Sequence, residues 1–136
     1  MGVFKIQLWS QLMPNHFQAI HHVSMIISNI EQSTWFYCTV LELEIDPSRP
    51  KMSSEGLWLT INAQQQIHLL LTDDPYKSVK RPEHAGLDRH VALKVNDLKA
   101  IMMRLDKHEI AYKMSQSGRQ ALFCHDPDNN TLEIQE

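Results

Sequence analysis

The chain is poor in cysteine, in runs of positive charge and in long hydrophobic stretches, and each shortage removes a class of protein. Two cysteines, Cys38 and Cys124, are too few and too far apart for a disulfide scaffold, so a reduced, cytoplasmic setting is expected. Thirteen Lys and Arg stand against 16 Asp and Glu, giving a formal charge of −3 and no basic stripe for nucleic acid. The longest apolar runs, such as Ile67–Leu71 broken by His68, are far too short to cross a membrane. The opening MGVFKIQLWSQLMPNHF has one Lys, a weak apolar stretch and no small-residue cleavage site, so it reads as an arm and not as a signal peptide.

What is present is an ordinary globular composition: 136 residues, 43% hydrophobic and 21% charged, enough for one domain and too little for two independent ones. Eight histidines are many for this length. Ala19–Ile27 is predicted as a strand, Ser28-Asn29 as a cap, and Ile30–Val40 as a helix presenting Trp35, Phe36 and Val40 on one face. Leu57–Asn62 and Gln66–Thr72 read as two strands, followed by the Pro- and charge-rich stretch Asp73–Gly86. The order then restarts. Arg89–Val95 reads as a strand, Asn96-Asp97 as a cap, and Leu98–Leu105 as a helix with Leu98, Ile101, Met102 and Leu105 inward. Ile110–Lys113, Gln120–His125 and Thr131–Gln135 are short strands, the last two joined by the turn DPDNN. The expected divisions are an arm at 1–18, a first module at 19–75, a linker at 76–87 and a second module at 88–136.

The restart is an internal repeat. HVSMIISNI (His22–Ile30) aligns with HVALKVNDL (His90–Leu98) at an offset of 68, and with a gap of three Ile67-His68-Leu69 falls on Leu132-Glu133-Ile134. Strand alternation puts His22 and Ser24 on one face, with His90, Ala92 and Lys94 likewise, while Val23, Met25 and Ile27 face the helix. A lone polar residue on such a strand can simply face solvent. Here two modules related by a pseudo-two-fold axis would bring first- and last-strand positions to a shared centre, and those positions hold His22, His68, His90 and Glu133. Each is a competent ligand for a divalent metal. Three neutral imidazoles and one carboxylate leave such an ion with a net charge of about +1, suited to an anionic oxygen.

At HHVSMIISNIEQSTWFYCTVLEL, QIHLLL, RHVALKVNDL and FCHDPDNNTLEIQE the sequence resembles the vicinal oxygen chelate superfamily. That superfamily includes glyoxalase I, extradiol dioxygenases, methylmalonyl-CoA epimerase, fosfomycin-resistance enzymes and bleomycin-binding proteins. The resemblance implies an α+β fold of two βαβββ modules whose strands form a mostly antiparallel, cup-shaped sheet with helices outside. It implies one divalent ion (Ni, Mn, Fe, Co or Zn) on His22, His68, His90 and Glu133, and a homodimer in which the site can be shared between subunits. The family turn DPDGN here has Asn129 or Asn130 in place of Gly, which the left-handed conformation tolerates.

The leading expectation is a metal-dependent lyase, isomerase or transferase of glyoxalase type, acting on a small molecule that chelates through neighbouring oxygens. Glu133 is the expected catalytic base. Arg119 and Lys94 are candidate grips for an anionic substrate group. Two alternatives stand. With His68 turned away, His22, His90 and Glu133 would form the facial triad of an Fe(II) extradiol dioxygenase. A metal-independent antibiotic binder of bleomycin-resistance type is the other. Arg89 is expected to point away from the His90 face, His21 to pack on the helix side, His125 to tie the loop, and Cys38 and Cys124 to be buried thiols.

Overall fold

The computed structural model describes residues 15–136, so most of the expected arm lies outside the described residues. β-branched and aliphatic alternation sets the strands. β1 (His22–Ile27) runs parallel to β4 (Gln66–Leu71), β4 antiparallel to β3 (Gly56–Thr60), and β3 antiparallel to the short β2 (Glu44–Ile45). The second sheet repeats the plan: β5 (His90–Lys94) is parallel to β8 (Thr131–Gln135), which is antiparallel to β7 (Ala121–His125), and β7 to β6 (Tyr112–Met114). The strand orders β1-β4-β3-β2 and β5-β8-β7-β6 correspond strand for strand. A parallel pair needs a crossover, and each module supplies one with a helix and two strands. The fold is therefore α+β, with two four-stranded mixed sheets and few helices, as expected from the repeat.

The helices differ from expectation in detail. α1 is α-helical only over Ile30–Thr34 and continues as a π turn over Trp35–Val40, closed by Leu41 N–H donating to the Phe36 carbonyl at 3.0 Å. α2 (Leu98–Lys107) runs two residues past the expected end. Both caps are those anticipated: Asn29 Oδ1 accepts from Gln32 N–H at 2.9 Å, and Asp97 Oδ1 from Ala100 N–H at 3.0 Å. A short 3-10 turn at Ala85–Leu87, capped by the His84 ring, was not anticipated within the linker. β1 starts at His22 and not Ala19, with the His21 carbonyl just ahead of it accepting from Gln66 N–H at 3.0 Å.

One face of each sheet is apolar and shared with the helices. Ile67, Leu69, Leu132, Ile134, Leu122 and Cys124 are buried there with Phe36, Tyr37, Val40, Leu98 and Leu105 in a single core. Polar ties cross between the halves: Asn130 Nδ2 donates to the Ile26 carbonyl at 2.9 Å, and Arg104 Nε to the Val40 carbonyl at 2.6 Å. The Tyr37 hydroxyl donates to Asp126 at 2.8 Å. Cys38 and Cys124 are free thiols, and burial pushes Cys124 up to about 12. Among the described residues no helix is long and apolar enough to cross a membrane.

Candidate metal centre

The opposite faces of the sheets carry the polar residues. In the second sheet the ladder sets Ala92 beside Glu133 and Phe123, and His90 beside Thr131 and His125. This brings His90 and Glu133 together diagonally, His90 Nε2 lying 3.1 Å from Glu133 Oε2. The other ring nitrogen, Nδ1, lies 2.7 Å from the Asp88 carbonyl oxygen. A carbonyl only accepts, so the proton of a neutral ring sits on Nδ1 and a lone pair on Nε2 faces the carboxylate. Two lone pairs facing each other at that distance repel, and either a proton or a metal ion on Nε2 makes the contact attractive. The Glu133 carboxylate is nearly closed to water, and its Oε1 accepts from Arg119 Nη2 at 2.9 Å. Phe123 packs edge-on against the His90 ring at 5.5 Å between centroids.

In the first sheet the ladder aligns Ser24, His68 and Trp58 across β1, β4 and β3, and His22 with Gln66 and Thr60. The rings form a stack: His22 on His68 at 3.9 Å and His68 on Trp58 at 4.4 Å. His68 Nε2 lies 2.9 Å from Gln66 Oε1, and Gln66 Nε2 donates to Asp46 Oδ2 at 2.5 Å. The Gln66 oxygen only accepts, which makes Nε2 of His68 the donor and leaves Nδ1 with the lone pair. Burial first, then His22 and His21, hold the His68 imidazole below its ordinary pKa and so neutral near pH 7.

The four anticipated ligands are thus brought together as two pairs, His22 with His68 and His90 with Glu133. Among the described residues no three His, Cys, Asp or Glu side chains converge on one point. The donor set fits a divalent ion in kind, three imidazoles and a carboxylate. The His90–Glu133 pair fits in arrangement as well, because both donors face each other with the histidine tautomer fixed from behind. The stacked rings of His22 and His68 hold their in-plane lone pairs in parallel planes, so one ring must rotate before both can face one ion.

Other anticipated residues fall into place around these pairs. Arg119 is half exposed and bonded to Glu133, to Gln135 Oε1 at 3.3 Å and to Ser117 Oγ at 2.9 Å. Lys94 is exposed on the His90 face, in register with Gln135. Arg89 turns away and lies over the Tyr76 ring at 5.3 Å from its centroid. His21 does not pack on the helix side; it is exposed, with Nδ1 2.9 Å from Nδ1 of His22, although its carbonyl accepts from Gln66 N–H of β4 at 3.0 Å. His125 is exposed at the end of β7. Trp58, Gln66, Asp46, Asp88 and Arg81 were not singled out from the sequence. For Trp58 and Gln66 the signal existed, since period-two alternation puts them on the His68 face. Arg81 lies in the linker and Asp88 just after it, ahead of the first strand of the second module, where no periodicity operates.

Two mixed sheets with matched strand order, each carrying a pair of potential metal ligands at equivalent strands, define a two-module glyoxalase-type fold. The chain belongs to the Glyoxalase/Bleomycin resistance protein/Dioxygenase superfamily, whose family model matches residues 19–134. It is 32% identical over 125 residues to the uncharacterized protein YwkD of Bacillus subtilis, covering 88% of this chain and 97% of the relative. It is 31% identical to Glyoxylase I 4 of Arabidopsis thaliana, covering 89% of this chain and 72% of that protein. Among solved structures it is similar to TnmS3, an antibiotic binding protein from Streptomyces sp. CB03234, with a TM-score of 0.68, 16% identity and coverage of 90% and 98%. That likeness is one of fold.

Proposed function

We propose that this protein is a metal-dependent glyoxalase-like enzyme, a lyase, isomerase or transferase, acting on a small substrate that offers neighbouring oxygens. In this reading two βαβββ modules, residues 19–75 and 88–136, follow an arm at 1–18 and are joined by a linker at 76–87. His22 and His68 of one module and His90 and Glu133 of another hold one divalent ion (Ni, Mn, Fe, Co or Zn). Each pair is half a ligand set, and a second copy of the chain supplies the other half, giving a homodimer with shared sites. The observation that carries this reading is the His90–Glu133 contact, with His90 Nδ1–H donating to the Asp88 carbonyl and the other ring nitrogen turned to a buried carboxylate.

When bound, the ion supplies charge stabilisation for an oxyanion developing on the substrate. The chain's own residues do the rest. Glu133 is the catalytic base, receiving a substrate proton at its carboxylate and returning it. Arg119 holds the other carboxylate oxygen, fixing the direction in which the base faces. Lys94 and the exposed part of Arg119 stand at the same end of the sheet, near Gln135, and attract an anionic substrate group.

The test uses acetohydroxamate, a probe with two neighbouring oxygens, in calorimetric titrations of the protein loaded with Ni²⁺, Co²⁺ or Zn²⁺ and after exhaustive chelation. Binding only to a metal-loaded form supports the reading. Equal binding to the chelated protein contradicts it and favours a metal-independent binder.

One observation favours a second reading, the Fe(II) extradiol-type dioxygenase. His68 is already engaged by Gln66 and stacked on Trp58, which leaves His22, His90 and Glu133 as a possible facial triad. Turnover of a catechol that requires Fe²⁺ and oxygen and survives His68→Ala would select it.

A further inference from the structure

The linker carries an ion-paired cluster that the proposed reaction does not use. Arg81 lies in this segment, and its guanidinium grips Asp88 through Nε at 3.2 Å to Oδ1 and 2.9 Å to Oδ2, and through Nη2 at 2.6 Å to Oδ2. The same guanidinium donates to Thr131 Oγ1 at 3.0 Å and to the Asn129 carbonyl. Asp88 is 8% exposed. Its carboxylate also accepts from Thr131 Oγ1 at 2.9 Å and from Arg89 N–H at 2.9 Å. Thr131 is the residue directly opposite His90 in the β5–β8 ladder. Asp88 is therefore tied from the linker, from β8 and from its own chain neighbour, and its carbonyl is the acceptor for His90 Nδ1.

We infer that Arg81 is a positioning residue for His90, locking Asp88 so that its carbonyl fixes the Nδ1–H tautomer and leaves Nε2 facing Glu133. The physical basis is the forked guanidinium. It holds a planar carboxylate in one orientation, and in a nearly buried position that orientation is kept against solvent. Without it, the Asp88 carboxylate keeps only Thr131 and a backbone N–H. The peptide that carries the carbonyl can then rotate, and the ring can exchange tautomers or flip. The linker thereby acts on the metal half-site through two bonds, although no linker side chain touches Glu133. The inference rests on the proposed metal reading only for its consequence, not for the tautomer itself.

The test has two readouts. Nitrogen-15 NMR of the chelated protein, at a pH high enough to keep the ring neutral and with ring signals assigned by His90→Gln, reports the His90 tautomer without any metal. Co²⁺ titration followed by visible absorption reports affinity. In the wild type a single Nδ1–H tautomer is expected. In Arg81→Ala a mixture of tautomers and an affinity weaker by about 10–100-fold are expected, the range typical of lost outer partners. Arg81→Lys, which keeps the charge without the fork, should fall between. Arg104→Ala removes a different tie between the halves, to Val40, and should leave both readouts as in wild type. An Arg81→Ala protein with the wild-type tautomer and affinity within twofold of wild type would overturn the inference, as would an equal loss in Arg104→Ala. If the wild type binds no Co²⁺ while Arg81→Ala still mixes the tautomers, the positioning role stands and the metal reading falls.

Discussion

Tyr37 and Asp126 are both buried and meet at 2.8 Å, the phenol donating to the carboxylate. Asp126 also accepts from Asn130 Nδ2 at 2.9 Å and from the backbone N–H groups of Asp128 and Asn130. Removing one donor leaves a buried carboxylate short of a partner, so Tyr37→Phe should destabilise the fold by about 1–3 kcal/mol in urea unfolding. The pH dependence has a definite sign. Burial raises the Asp126 pKa, and the hydrogen bonds from Asn130, Tyr37 and Asp128 only partly offset this. An acid whose folded pKa is raised contributes stability that is complete below its unfolded pKa of about 4 and is lost as pH rises through the folded value. The advantage of wild type over Asp126→Asn should therefore be largest at acid pH and shrink as pH rises. A constant difference would show that Asp126 is not raised. None of this was visible in the DPDNN motif, which identified a turn but not the tyrosine that reaches it from 89 residues away.

At the scale of elements, alternation and capping were the legible signals, and they placed most strands and both helices. The hydrophobic face of α2 was read correctly because Leu98 and Leu105 are buried and Ile101 and Met102 half-buried beside them. The π turn in α1 was not legible, since period counting cannot separate a bond to the fifth residue from one to the fourth over six residues. The DPDNN substitution for glycine was legible and resolves onto Asn129, whose φ is 65°. Asn129→Gly should be neutral or slightly stabilising, whereas Asn129→Val should cost about 1–2 kcal/mol, measured by thermal or urea unfolding. Gly56 had no sequence signal. A Cβ there would sit 2.2 Å from the Leu69 carbonyl oxygen across the β3–β4 ladder, so Gly56→Ala should break local pairing and lower the unfolding midpoint well beyond a surface substitution.

For the whole molecule, the internal repeat carried the information. It anticipated two equivalent modules: His22 matches His90 on β1 and β5, and His68 matches Glu133 on β4 and β8, because Ser24 faces His68 as Ala92 faces Glu133. What a linear repeat does not encode is which module faces which. The two proposed ligand pairs sit on separate sheets, and the repeat in the sequence does not encode whether the matching half comes from the same chain or from a second copy. A shared site has a distinctive consequence. His22→Ala/His68→Ala and His90→Ala/Glu133→Ala proteins should each lose metal binding, and unfolding and refolding them together should restore it in the mixed dimers. No restoration would place both halves within one chain.

The central proposal is that His22, His68, His90 and Glu133 bind a divalent ion. Elemental analysis of the purified protein, equilibrated with Ni²⁺, Mn²⁺, Fe²⁺, Co²⁺ or Zn²⁺ and desalted, measures it most directly beside His68→Ala and Glu133→Ala. A shared site gives wild type about one ion per chain for at least one of these metals, with Glu133→Ala depleted most and His68→Ala depleted to a lesser degree. Equal and negligible metal in all three proteins would contradict it.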